Sequence, residues 1–131
     1  MKTEGEENCP ERIVIFVDEL NKYAPSNIKV SPIINSLIEI TERGRSLGIV
    51  LFSAEQFRSA IHDRVKGNCA TNVYGRTNGV EINSADYRHL PKSFTNMMTR
   101  LSKGQLIISH PIFRSLIKIA FPKPAYLQPE H

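Results

Sequence analysis

The stretch Ile13-Val14-Ile15-Phe16-Val17, broken at once by Asp18-Glu19, constrains the fold more than any other part of the chain. An unbroken apolar run rich in β-branched residues predicts a strand buried on both faces, as in parallel sheets. Ile49-Val50-Leu51-Phe52 repeats the pattern and leaves through polar residues from Ser53 to Gln56, so a second strand of the same kind is expected. Between the two, Ser31-Pro32 offers an N-cap followed by proline at the first helical position. Ile33, Ile34, Leu37, Ile38 and Ile40 then recur at helical spacing, and Gly48 supplies the stop. Strand, helix and strand in this order predict an α/β layer with parallel strands and a right-handed crossover.

The rest of the chain is read more coarsely. Phe57, Ile61 and Val65 fall four apart and predict a second helix over 57–65, stopped at Gly67-Asn68. Residues 71–76 read as a third strand of the layer, 83–87 and 93–101 as short helices, and 105–109 with 113–121 as a closing β-hairpin. Residues 1–11 are a polar, acidic lead-in, 12–126 the folded domain, and 127–131 a tail in which Pro129 continues the extended course set by Pro122 and Pro124. A length of 131 residues suits one domain. No apolar run approaches the roughly 18 residues of a membrane span, and the acidic start is unlike a signal peptide, so a cytoplasmic protein with no membrane partner is expected. Cys9 and Cys69 lack metal-ligand spacing and are expected to be reduced thiols. His62, His89 and His110 show neither triad nor metal pattern, and Met97-Met98 reads as core filling. A net charge of +4 permits contact with nucleic acid without arguing for it.

In parallel sheets, ligands sit beyond the carboxyl ends of the strands. Asp18-Glu19 and Glu55-Gln56 both fall at that edge. Two adjacent acids ending an apolar strand suit nucleotide hydrolysis: Asp18 would hold the water shell of Mg²⁺, and Glu19 would activate the attacking water. Gln56, just past the neighbouring strand, can donate to a phosphate and accept from water at once, which suits it to sense the γ-phosphate. The plainer alternatives are a solvated loop for Asp18-Glu19 and a helix-terminal cap for Gln56.

Residues 13–19 resemble a Walker B strand, and Glu42-Arg43-Gly44-Arg45-Ser46-Leu47-Gly48 through Gln56 resembles the helix end and glutamine strand of HerA/FtsK-type ring ATPases. The segment from Leu101 through Pro124 is similar to the C-terminal end of archaeal HerA-like DNA helicases. The resemblance spans residues 12–126. It implies a partial, three-layer P-loop NTPase-like parallel sheet with a C-terminal β-hairpin, the Walker B half of a RecA-like domain. It further implies ATP and Mg²⁺ as cofactors and a homo-oligomeric, hexameric ring acting on double-stranded DNA. The complete machine would be a DNA-dependent ATPase, a helicase or translocase serving end resection or transport, with a nuclease as a further partner.

Within that resemblance Arg76, at the end of the third strand, stands where an arginine approaches the phosphates, and Arg43 or Arg45 at the helix end are alternative arginine fingers acting in trans. One departure stands out: the phosphate-cradling GxxxxGK[ST] run does not occur in these residues. Weak or no nucleotide binding by this chain alone is therefore expected. The competing expectation is a non-catalytic α/β interaction module. Under either reading, a half-sheet should expose an apolar patch and self-associate.

Overall fold

A computed structural model describes residues 10–122 and 125; Cys9, Pro124, Pro129 and the rest of the two termini lie outside the described residues. The chain divides into two compact units, Met1–Cys69 and Ala70–His131.

In the first unit, β1 (Ile13–Asp18) and β2 (Ile49–Ala54) form a two-stranded parallel sheet, with Ile13 opposite Ile49 and Asp18 opposite Ala54. Helix α1 (Pro32–Leu47) connects them. It begins as the sequence predicts: the Ser31 hydroxyl accepts the Ile34 N–H at 3.1 Å, satisfying one of the free donors of the first turn. It ends at Gly48, whose φ of +71° is the left-handed stop that glycine adopts without strain. Ile34, Leu37 and Ile38 line its buried face and join Leu20, Ala24, Ile61 and Val65 in one core.

The sheet departs from expectation in its burial. Both strands alternate: Ile15, Val17 and Leu51 turn inward, whereas Val14 (61% exposed), Phe16 (70%), Val50 (37%) and Phe52 (55%) face solvent. The unbroken apolar run predicts burial on both faces, and the alternation corrects it. The helix covers one side only, so the opposite side is left as an apolar surface.

The predicted second helix also breaks. A 3-10 turn at Arg58–Ala60 is followed by Ile61 in extended conformation, and α2 covers only Asp63–Gly67. Ile61 forms an antiparallel bridge with Pro25 and is fully buried, worth about 2 kcal/mol of apolar transfer. Its spacing from Val65 satisfies the core without a continuous helix, because the loop after β1 claims the backbone at Ile61. The main-chain bonds from His62 N–H to the Ala24 carbonyl (2.8 Å) and from Ser26 N–H to the Ala60 carbonyl (3.0 Å) complete this clasp.

In the second unit, β3 (Asn72–Tyr74), β4 (Gln105–Ser109) and β5 (Ile117–Ala120) form an antiparallel sheet in that order. The expectation that 71–76 extends the parallel layer is thus corrected. This strand has only three residues, and Tyr74 pairs with Ile107 over a separate core that includes Tyr87, Leu90, Met98 and Leu101. The Tyr74 and Tyr87 rings meet at 6.1 Å and 57°, a favoured tilted arrangement. Helices α3 (Gly79–Ile82) and α4 (Lys92–Met98) are short, and a 3-10 turn covers Ala85–Tyr87. Met98 is fully buried, as its reading as core filling predicts, and the closing hairpin is present as β4 and β5.

Candidate functional site

The parallel register decides where the predicted residues begin. Asp18 is the last residue of β1 and lies opposite Ala54, the last residue of β2, so Asp18-Glu19 and Glu55-Gln56 leave the sheet from the same carboxyl-end edge. Neighbouring strands run about 4.8 Å apart, which sets the separation at which the two polar pairs start.

Asp18 is exposed, and its Oδ1 accepts the Glu19 N–H at 3.0 Å. Its exposure removes the desolvation cost that would demand a compensating ion. Glu19 has φ +53° and ψ +59°, a left-handed conformation that costs an L-residue about 1–2 kcal/mol. The turn is held because Leu20, the next residue, is buried in the core. Strain of this kind at a strand end is characteristic of functional positions. The Glu19 carboxylate is engaged by Lys22 at 2.7 Å, and this bond raises the Lys22 pKa above its ordinary value.

Gln56 is exposed and has no hydrogen-bond partner among the described residues. Its neighbour Glu55 has no role in the sequence reading beyond its place at this edge, yet it is the acid here whose titration is perturbed. Partial burial pushes its carboxyl up, with the Arg58 guanidinium opposing. The Cys69 thiol, which donates to the Val65 carbonyl at 3.4 Å, has its pKa raised by burial and by the Glu55 charge, so these groups form one electrostatic cluster beside the sheet edge. Its signal in the sequence was the acid next to Gln56; the proximity of Cys69 had none.

Arg43 and Arg45 flank Gly44 near the end of α1. Gly44 is buried against β2, and a Cβ there would stand 2.8 Å from the Ile49 carbonyl oxygen. The glycine in this element is therefore a packing requirement. Residues two apart on a helix diverge by about 200°, so the two arginines depart on opposite sides of the axis. Arg43 is ion-paired along its own helix with Glu39 at 3.4 Å. Arg76 is exposed, follows β3 of the antiparallel sheet, and belongs to the second unit.

Oxygen donors at this edge suit a hard cation: Mg²⁺ keeps most of its waters and needs one or two carboxylates, and Asp18 retains free lone pairs for such an outer-sphere role. Among the described residues, no group of three or more His, Cys, Asp or Glu could hold a metal by itself. No GxxxxGK[ST] run occurs in these 131 residues. Among the described residues, no helix is long and apolar enough to cross a membrane.

The sequence matches no family model and no curated protein. Solved structures do match. The genome packaging NTPase B204 from Sulfolobus turreted icosahedral virus 2, in complex with ATP-gammaS, aligns with 85% of this chain and 52% of its own at 16% identity and a TM-score of 0.66. The same protein with sulfate gives a TM-score of 0.68 over the same shares and at the same identity. The fold is that of part of a P-loop NTPase. B204 described as the DNA-packaging ATPase from Sulfolobus Turreted Icosahedral Virus gives 0.65 at 17% identity over 85% and 52%. The chain thus spans about half the length of these structures.

Proposed function

We propose that the chain is the Walker B half of a HerA-like ATPase motor, a DNA helicase or translocase that couples ATP hydrolysis to movement on double-stranded DNA within a hexameric ring. One observation carries the reading: the parallel β1–β2 pair starts Asp18-Glu19 and Glu55-Gln56 from a common carboxyl-end edge. The likeness to a genome packaging NTPase over 85% of the chain supports it.

In this reading Asp18 holds the water shell of Mg²⁺, which supplies charge neutralisation when bound. Glu19, freed from Lys22, takes a proton from water, and Gln56 orients the same water. Arg76, Arg43 or Arg45 provides positive charge, the last two across a subunit boundary. The grip on the triphosphate lies outside these residues, so no step through the nucleotide is assigned to this chain alone.

The test is reconstitution with a polypeptide carrying a GxxxxGK[ST] loop, followed by DNA-stimulated ATPase measurements. Glu19→Gln is expected to lower turnover about 100-fold or more, the usual contribution of a general base. Unchanged turnover defeats the assignment. A calorimetric titration of the chain by itself is expected to show no micromolar ATP binding.

The apolar face of Val14, Phe16, Val50 and Phe52 favours a second reading, an interaction module whose sheet is completed by another polypeptide. Light scattering on the isolated chain tests the exposed face itself: a monomer at all concentrations argues that the sheet needs no other polypeptide to complete it.

A further inference from the structure

Positive charge is segregated within the chain. Met1–Cys69 carries 9 Lys and Arg against 10 Asp and Glu, whereas Ala70–His131 carries 8 against 3. Of those three acids Glu81 is buried, with the Tyr87 hydroxyl 3.4 Å from its Oε1. Two open concavities lie on the second unit. One, of about 280 Å³, is lined by His89, Ser109, His110, Arg114 and Ser115 over an apolar floor that includes Phe94. The other, of about 330 Å³, carries Arg88 and Lys92. They share Leu90, and no Asp or Glu lines either concavity.

The chemistry of this surface is that of a donor array. The side chains of Arg88, Lys92 and Arg114 have no hydrogen-bond or ion-pair partner among the described residues. His110 accepts the Ile112 N–H at its Nδ1 (3.1 Å), which assigns the ring proton to Nε2 and makes that nitrogen a donor. The Phe113 ring, 5.8 Å away, holds the imidazole in place. Guanidinium, ammonium, imidazole N–H and the hydroxyls of Ser109 and Ser115 all seek acceptors, and phosphate oxygens match them.

We propose that the surface bearing Arg88, Lys92, His110 and Arg114 is a contact site for the phosphodiester backbone of duplex DNA. It deepens the DNA partner of the motor reading, yet it is tested by binding without ATP, so its failure and the failure of the ATPase assignment are distinguishable. The open, shallow form of both concavities suits successive phosphates of a long polyanion better than an enclosed nucleotide. Contacts of this kind fix position and carry no base sequence.

The experiment is fluorescence anisotropy of a labelled 30-base-pair duplex with the full 131-residue chain between 50 and 200 mM salt. Arg88→Glu/Arg114→Glu is expected to weaken binding at least tenfold and to reduce the log–log salt slope by about two, one unit per lost phosphate contact. Arg12→Glu/Lys29→Glu, which makes the same change in net charge at exposed positions of the first unit, is expected to stay within about twofold. His110→Phe keeps an aromatic ring beside Phe113 and removes a neutral donor, so it should weaken binding severalfold without changing the slope. Equal losses in the two double variants, or wild-type affinity in His110→Phe, overturn the proposal. ATP and inorganic phosphate at equal phosphate concentration are expected to compete poorly. Competition by ATP equal to that of unlabelled duplex makes the site a nucleotide site, and equal competition by polyglutamate makes it an acidic-protein site; either result overturns it.

Discussion

The two units of the chain solve surface chemistry in opposite ways. In the first, charges are near balance and cations are tied to acids: Lys22 to Glu19, Arg43 to Glu39, Arg64 to Glu42 and Lys66 to Asp63. Its unsatisfied surface is apolar, the four outward residues of β1 and β2. In the second, cations exceed acids by 8 to 3, and Arg88, Lys92 and Arg114 line open concavities. One unit exposes an apolar face, the other an excess of cations. The difference teaches that overall charge, +4 for the chain, understates what either part can bind.

The strongest way to sharpen this contrast is through the two cores. Ile61→Ala in the first and Met98→Ala in the second each remove a fully buried side chain and are expected to cost about 2–5 kcal/mol, read by urea denaturation. Next, Gly44→Val forces a branched side chain against the Ile49 carbonyl and should cost about 1–3 kcal/mol, whereas Gly79→Val in the second unit meets no neighbouring atoms and should be neutral to slightly stabilising, because valine is a better helix former than glycine.

A pH experiment has a smaller and signed effect. The folded pKa of Glu55 is raised, so the fold favours its neutral form: that contribution is full below the ordinary carboxylate pKa and is lost as pH rises through the raised value. Glu55→Gln should therefore stabilise the protein at neutral pH, and the gain should vanish in acid. Glu42 runs the other way. Its pKa is lowered by the Arg64 guanidinium, so Glu42→Gln should destabilise at neutral pH and lose its effect as pH falls through the lowered value. Denaturation curves at a series of pH values distinguish the two.

The smallest effect on stability is expected at the apolar face. Replacing Phe16 and Phe52 with Thr should change unfolding free energy by about 0.5 kcal/mol or less, since both are largely exposed, while reducing self-association seen by light scattering.

Helix α1 was legible in nearly every detail because its signals are local: Ser31, Pro32 and Gly48 each act on the backbone beside them. Both strands of the parallel pair were likewise legible in position, but their burial was not. Periodicity reports what a strand is built to contact, and Val14 and Phe16 contact nothing among the described residues that would hide them. The break at Ile61 was hidden because it depends on Pro25, far away in sequence. The antiparallel placement of residues 72–74 was hidden for the same reason, since the partner strand lies beyond residue 104. At the candidate site, the strand-end acids were visible as residue types. The Lys22 grip on Glu19 was not, because an exposed i,i+3 pair is one arrangement among many that a sequence allows.

The close approach of α1 to β2 also bears on how this stretch can drift over time. At position 44 any side chain would collide with main chain, which no compensating change elsewhere in a side chain can relieve. Arg43 and Arg45 are under no such constraint. In a lineage that abandons the chemistry at the strand ends, the two arginines would be free to scatter while the glycine between them persists, so that its survival would record architecture and theirs would record use.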